Sequence, residues 1–224
     1  NAFLRLTGNI TYMPVDVSAI MIESSKRLLD EFEGLGIKGT IGEYLDALEI
    51  IVETVKEPKM IVFLGSSIGN FDLPHAEDFM RKISGGMNNG DTLLIGFDLV
   101  KDISVLNSAY NDIGSVTAEF NLNLLHRINS ELNSNIDTGK FEHKAFFNSD
   151  KSRIEMHLVS KCDQSFSLNG SGLISFQKNE TIHTENSYKF TDEMVMELIQ
   201  KSGVTFVKKW NDTNDWFGLF LIRK

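Results

Sequence analysis

The sequence predicts an α/β protein: a parallel sheet with crossover helices, interrupted late in the chain by a smaller α+β unit. Three observations predict it. From Ile10 to Asp98, short apolar runs alternate with helical patterns, the order that gives parallel strands and right-handed crossovers. Past about residue 100 the texture changes to short alternating runs between polar turns, the pattern of an antiparallel meander. The chain then closes on a helix and two apolar runs, a common antiparallel finish to such a sheet.

Ile10–Val15 reads as a short strand ending at Asp16, with Pro14 better suited to a strand end than to a helix. Ser18 is placed to cap a helix carrying Ile20, Met21, Leu28, Leu29 and Phe32 at helical spacing, and Gly34 and Gly36 stop it. Ile37–Ile41 is a second strand. Leu45 to Val55 forms a helix with Leu45, Leu48, Ile51, Val52 and Val55 on one stripe. Lys59–Leu64 is a continuous apolar run, as expected of a strand buried on both faces. Asp72 with Pro74 starts the next helix, which ends near Gly85-Gly86. Thr92–Phe97 is another buried strand, ending at Asp98. Val116–Leu132 is a long helix, and His143–Phe147, Arg153–Val159, Ser165–Leu168, Leu173–Phe176 and Thr181–Phe190 are strands. Met194–Ile199 is helical, and Thr205–Trp210 and Trp216–Ile222 are the closing strands. The expected division is a main domain of residues 1–100 and 190–224, with an inserted unit at 101–189.

Composition narrows the function. The 224 residues hold 22 basic and 31 acidic side chains, a net charge of −9. That acidity, with an isoelectric point near 5.1, argues against a bulk nucleic-acid binder, which needs a basic face. One cysteine, Cys162, excludes an internal disulfide framework and a zinc site built on several thiolates. Apolar runs such as Met60–Leu64 fall far short of the ~20 residues of a membrane span. No secretory leader is expected, because Arg5 sits inside the first apolar patch and no apolar core follows. A cytoplasmic protein without membrane or nucleic-acid partners is the expectation.

In parallel α/β sheets, ligands bind beyond the carboxyl ends of the strands. Those ends hold Asp16, Gly42-Glu43, Gly65–Asn70 and Asp98. In Leu64–Phe71 two glycines allow a tight turn, and Asn70 offers both a donor and an acceptor. No Gly-Lys-Ser/Thr follows, so this is not a phosphate loop. Asp16 is placed either to hold a ribose diol or to serve as a helix N-terminal acid. Glu185, in Glu185-Asn186-Ser187, is either a hydrogen-bond acceptor for an imidazole or amine or a solvated strand residue. The five histidines show no metal-ligand spacing, so no metal site is expected. Gly-x-Ser-x-Gly is absent, and Gly170-Ser171-Gly172 reads as a hairpin turn.

Several blocks occur together and in order: Tyr12–Ser18, Phe63–Phe71, Asp98–Asp102 with Ala109–Asp112, Phe120–Leu125, Arg153–Met156 and Thr184–Phe190. From about residue 10 to the C-terminus the chain resembles the histidine N-alpha-methyltransferases of ergothioneine biosynthesis. A dimethylallyltryptophan N-methyltransferase of fungal alkaloid pathways belongs to the same wider family. The resemblance implies a class I, Rossmann-like methyltransferase domain with an inserted substrate-recognition domain. It implies transfer of methyl groups from S-adenosylmethionine to the α-amine of a small amino acid, for histidine three times to the trimethylated betaine. Asp16 would hold the cofactor's ribose, and Glu43 and Tyr44 would lie at its adenine. Gly65, Asn70 and Tyr110 would hold the amino acid's amine and carboxylate. Glu185 and Ser187 would read the imidazole nitrogens, and Met156 would line the pocket. No dedicated catalytic base is implied.

The sequence departs from that family in one respect. No Gly-x-Gly precedes Asp16, whereas the resemblance places a first, central strand and a glycine-rich turn ahead of it. An N-terminally truncated chain is therefore expected, with neighbouring strands left unpaired. Rival readings are a methyltransferase for another amino acid or amine, and a methyltransferase-fold module without catalysis. A nicotinamide oxidoreductase shares the acid after the second strand but lacks hydride-transfer residues here.

Overall fold

The computed structural model describes Leu4, residues 10–168 and residues 172–224. The sequence around Arg5 and most of the Gly170-Ser171-Gly172 turn lie outside those residues. Gly172 itself has φ +120°, a conformation suited to glycine in a turn.

The first strand is split into β1 (Thr11–Tyr12) and β2 (Val15–Asp16). Pro14 has no N–H to donate to a ladder, although its carbonyl still accepts from the Thr40 N–H at 2.9 Å. The partner is split to match, into β3 (Gly36–Ile37) and β4 (Thr40–Ile41), both parallel to their mates. Between them runs α1 (Ile20–Glu31). Its cap position is Ala19 rather than the expected Ser18. Ser18 instead donates its N–H to Asp16 Oδ1 at 2.8 Å and accepts from the Ile20 N–H at 3.3 Å.

Next come α2 (Tyr44–Thr54), β5 (Met60–Phe63), a 3-10 turn at Ser67–Asn70, α3 (Leu73–Gly86) and β6 (Thr92–Asp98). The Asp72 carboxylate caps α3, accepting from the His75 N–H at 2.9 Å. At the far end of the chain, α6 (Asp192–Lys201) and the closing strands β12 (Thr205–Asn211) and β13 (Phe217–Arg223) return to this region. A four-stranded sheet results, in the order β12-β13-β6-β5. β5 and β6 are parallel, and β13 and β12 add antiparallel to the other edge of β6, as the sequence predicts.

Expected burial of β5 on both faces is not what forms. Ile61 and Phe63 pack on the core, but Met60, Val62 and Leu64 are 48, 45 and 49% exposed. The physical reason is that β5 pairs with β6 alone and, among the described residues, no element covers its other face. The core itself lies between the β6 sheet, α3 and α6. Phe79, Met80, Leu93, Ile95, Phe97, Phe190, Phe220 and Ile222 are buried there. Phe97 meets Phe190 and Phe220 edge-on, at 5.0 and 5.5 Å between centroids. Each such ring contributes about 1.5–3 kcal/mol by leaving water.

Residues 103–188 form α4 (Ile103–Tyr110), α5 (Val116–Glu131) and a second sheet. β7 (Phe141–Asn148), β8 (Arg153–Ser160) and β11 (Thr181–Tyr188) pair antiparallel in the order β11-β8-β7. β9 (Gln164–Ser167) and β10 (Leu173–Phe176) make a separate hairpin. Asp112 accepts from the Thr117 and Val116 N–H groups at the start of α5. These bonds pull its carboxyl down to about 2. Buried Asn121 ties α5 to the sheet, donating to the His157 carbonyl at 3.1 Å and to His143 Nδ1 at 2.9 Å. The two sheets are joined where β6 and β11 end. There the Phe190 N–H donates to the Asp98 carbonyl and the Val100 N–H to the Phe190 carbonyl, both at 3.0 Å.

Candidate active site

The turn after β5 brings the first group of candidate residues together. Gly65 has φ +86° and Ser66 φ 60°, a left-handed pair that is free for glycine and costs serine about 1–2 kcal/mol. The Ser66 hydroxyl offsets that cost by accepting from the Asp98 N–H at 2.9 Å. Gly69 lies so close to β11 that a Cβ there would meet the Tyr188 carbonyl at 2.9 Å. Asn70 is thereby held against β11, where it lines a cleft of about 300 Å³ with His183, Thr184, Glu185 and Asn186.

β11 carries a register shift between His183 and Glu185, the kind of bulge that re-aims side chains beside functional sites. Beyond it, Glu185 stands opposite Met156 and Ser187 opposite Ile154. Directly opposed residues share a face, so Glu185, Ser187 and Met156 lie on one side of this sheet. Met156 packs there with Ile154, Ala145 and Leu106 of α4, and Tyr110 borders that cluster. Burial pushes the Glu185 carboxyl up, and the charge of Lys189 draws it partly back.

Tyr110 is the last residue of α4, and its hydroxyl donates to Ser187 Oγ at 2.8 Å. Its carbonyl accepts from His143 Nε2 at 2.8 Å. A carbonyl can only accept, so Nε2 carries the proton and Nδ1 accepts from Asn121. Asn111 extends the clamp, donating to the Ala145 carbonyl at 3.0 Å.

One residue of this cluster was not anticipated. Lys189 is fully buried. Its ammonium donates to Ser187 Oγ at 2.7 Å and to Tyr110 Oη at 3.0 Å, and pairs with Asp98 Oδ2 at 2.8 Å. The other Asp98 oxygen takes Lys101 Nζ at 2.5 Å. Its one sequence signal is a lysine flanked by two aromatic residues, Tyr188 and Phe190.

The second group stands at the ends of β2 and β4. Asp16 pairs with Ile41, and its carbonyl accepts from the Gly42 N–H at 3.1 Å. The Ser18 N–H fixes Oδ1 and leaves Oδ2 to an incoming donor. Glu43 occupies the cap position of α2 without making a side-chain cap bond. Tyr44 is half exposed, its ring edge-on to Phe63 at 5.8 Å and to Phe79 at 5.5 Å. Burial and the Glu43 charge push its hydroxyl pKa up. At Gly42 and Gly65, nothing lies within 4 Å of where a Cβ would stand. A carboxylate with a free oxygen, an acid–aromatic pair and an open glycine floor fit the ribose and adenine of S-adenosylmethionine.

The spacing of the histidines predicts no metal set, yet the fold gathers Glu155, His157 and His183 with ligand atoms within 4.8 Å of one another. Within the cluster Glu155 Oε2 meets His157 Nε2 at 3.3 Å, and His157 Nδ1 is buried without a hydrogen-bond partner among the described residues. Glu155 Oε1 takes Arg153 at 2.6 and 2.9 Å and Asn148 at 3.1 Å. His157 stacks between Phe146 and His183 at 5.5 and 4.5 Å. Burial raises the Glu155 carboxyl, but its Arg153 and His157 partners outweigh that and hold it low. A wider, shallow depression of about 710 Å³ beside β9 and β10 contains none of the candidate site residues.

Comparison with known proteins bears on the whole chain. The family described as histidine-specific methyltransferase, SAM-dependent, matches residues 1–224. A histidine N-alpha-methyltransferase of Mycobacterium tuberculosis (strain CDC 1551 / Oshkosh) is 35% identical over 224 residues, covering 99% of this chain and 69% of that protein. The enzyme of the same name from Mycolicibacterium smegmatis is 35% identical over 212 residues, 94% of this chain and 65% of that one. Ergothioneine biosynthesis protein 1 of Schizosaccharomyces pombe is 24% identical over 231 residues, 100% of this chain and 30% of its own length. The chain thus spans about two thirds of the length of the bacterial relatives and under a third of the yeast one.

Proposed function

The chain belongs to the histidine-specific, SAM-dependent methyltransferase family, and from that premise we propose that it methylates the α-amine of L-histidine to the trimethylated betaine, a step of ergothioneine formation. The observation that carries this reading is that Glu185 links two groups, lining a cleft with Asn70 and sharing a face of β11 with Ser187, which Tyr110 bonds at 2.8 Å.

Each residue has a task in the proposal. When bound, S-adenosylmethionine supplies a methyl group on a sulfonium, open to direct displacement by an amine. Asp16 holds the ribose hydroxyls through Oδ2, with Glu43 and Tyr44 at the adenine. Gly65, Asn70 and Tyr110 orient the amino acid's amine and carboxylate. Asn70 is a neutral donor toward the carboxylate, and Tyr110, whose one proton goes to Ser187 Oγ, offers its oxygen to the amine as an acceptor. Glu185 accepts the ring N–H, Ser187 meets the second ring nitrogen, and Met156 forms the apolar wall. Holding the amine in line with the methyl supplies much of the rate. The attacking nitrogen must be neutral, and its proton leaves to solvent, so no strong base is assigned.

Residues 101–189 serve as the substrate-recognition unit in this reading, and residues 1–100 with 190–224 as the cofactor domain. Small molecules are the ligands. Among the described residues no helix is long and apolar enough to cross a membrane. We place the protein in the cytoplasm, which suits its single free Cys162.

Mass spectrometry of L-histidine incubated with S-adenosylmethionine and the natural protein tests the proposal. Products heavier by one, two and three methyl groups are expected. Methylation of another amino acid with none of histidine would overturn the substrate assignment, and cofactor binding without any product would overturn the activity.

A further inference from the structure

We propose that Lys189 is a positioning residue that fixes which way the site's two hydroxyls point, so that the pocket accepts a ring offering one N–H and one bare nitrogen. The inference rests on the histidine reading and deepens it.

Lys189 is fully buried, and its three ammonium protons have three acceptors: Asp98 Oδ2, Ser187 Oγ and Tyr110 Oη. An ammonium can only donate, so it occupies an acceptor position on each hydroxyl oxygen. The Tyr110 hydroxyl turns its own proton to Ser187 Oγ. Ser187 Oγ therefore receives two hydrogen bonds, from Lys189 and from Tyr110. The single bond left to it is the one made by its own proton. Ser187 faces a ligand as a donor, and a donor needs an acceptor opposite.

Glu185 has the reverse character. An ionised carboxylate can only accept, and Glu185 shares a sheet face with Ser187 two residues away. The pair thus presents one acceptor and one donor. A neutral imidazole matches it with one N–H and one bare nitrogen. A pyrrole lacks the acceptor, a thiazole lacks the donor, and an imidazolium carries two donors. Without Lys189, the Ser187 hydroxyl is free to turn over and either accept or donate, and the distinction between a bare nitrogen and a C–H is lost.

Asp98 holds the ammonium in place. It stands at the end of β6, and its second oxygen is taken by Lys101. The backbone on either side of Lys189 is also fixed: its N–H donates to the Ser152 carbonyl at 2.8 Å, and its carbonyl accepts from Ser152 Oγ at 2.7 Å. The lysine is thus anchored where the two sheets join, behind the hydroxyls it directs.

The test compares substrates in the natural full-length protein, above the pKa of the free ring. Alongside histidine it uses the 2- and 3-pyrrolylalanines, which keep an N–H and lose the bare nitrogen, and the 4- and 5-thiazolylalanines, which do the opposite. The better substrate of each pair is read as kcat/KM relative to histidine. Wild-type protein is expected to favour histidine over the pyrrole by about a hundredfold or more, because a group built to hydrogen-bond is left unpaired. Lys189→Met is expected to bring that ratio below about tenfold, mostly through KM for histidine, and to leave the thiazole ratio, which reports on Glu185, where it was. In a Ser187→Ala background the lysine substitution should not change the ratio further.

A fall of histidine and pyrrole by the same factor in Lys189→Met would overturn the inference and make the lysine merely structural. If Lys189→Met alone does not yield folded protein, Asp98→Asn/Lys189→Met removes the carboxylate's charge as well and is read the same way. Wild-type protein that methylates no histidine would instead sink the functional reading. Wild-type protein that methylates histidine but whose ratio ignores Lys189 sinks only this inference.

Discussion

The two ends of the candidate site are built differently. At the β2–β4 end, Asp16, Glu43 and Tyr44 stand in the open: Asp16 accepts from the Ser18 N–H at its own helix start, and Glu43 makes no side-chain cap bond. At the β5–β6–β11 end, Tyr110, Ser187, Lys189 and Asp98 form a closed chain of bonds between 2.7 and 3.0 Å, backed by His143 and Asn121. In the proposed reading the wired end faces the group that must be told apart from its analogues, and discrimination needs partners whose direction is already settled. The open end in that reading faces a ligand that brings its own diol and ring, where an acceptor and an apolar edge suffice.

The largest effect that sharpens this contrast belongs to Glu185. Glu185→Ala should lower kcat/KM for histidine about a hundredfold or more, the loss of a charged hydrogen-bond partner, while leaving cofactor affinity nearly unchanged. Steady-state kinetics with calorimetric titration of the cofactor read both, and an unaltered affinity for histidine would break the assignment. Next comes the backing of the wired end. Asn121→Ala strips the partner from His143 Nδ1 and the His157 carbonyl and should cost about 1–3 kcal/mol in urea unfolding.

Asp16→Ala should do the opposite. Its carboxylate is exposed, so unfolding free energy should move by no more than about 0.5 kcal/mol. Cofactor affinity should fall about tenfold, the loss of one charge-assisted bond. Equal affinity in titration calorimetry would show the ribose assignment to be wrong. The smallest effect is a matter of pH. The Glu185 carboxyl is raised in the folded protein by burial, so its favourable contribution is complete below its unfolded pKa and disappears as pH rises through the folded one. Glu185→Gln should therefore raise the melting temperature slightly at neutral pH and leave it unchanged in acid. Thermal unfolding at both pH values checks the sign.

Much of this arrangement was legible in local sequence. Asp72 and Pro74 announce the start of α3, and Thr92–Phe97 reads as a buried strand because nearly every residue in it is apolar and is indeed buried. Gly65–Asn70 marks a turn at a strand end, and its left-handed Gly65 and close-packed Gly69 are why glycines stand there. Other features have no local signature. The Lys189–Asp98 pair closes across most of the inserted segment, and no spacing rule relates the two residues. Met60–Leu64 shows an apolar run but not what covers each face, so the open side of β5 was hidden. In the sequence Pro14 suits a strand end, whereas in the fold it breaks one strand into β1 and β2, and the partner is split at the same place. The stack of His157 and His183 arises from strand register, which pairs them directly across β8 and β11.

The most direct test is the protonation state of the bound ring. Histidine labelled with nitrogen-15 in the imidazole, bound to the natural full-length protein and observed by NMR, should show one protonated and one bare nitrogen, held in a single tautomer over the range in which the free ring titrates. That result is what an acceptor at Glu185 and an obliged donor at Ser187 require. A bound ring protonated on both nitrogens would set a donor against Ser187 and contradict the account.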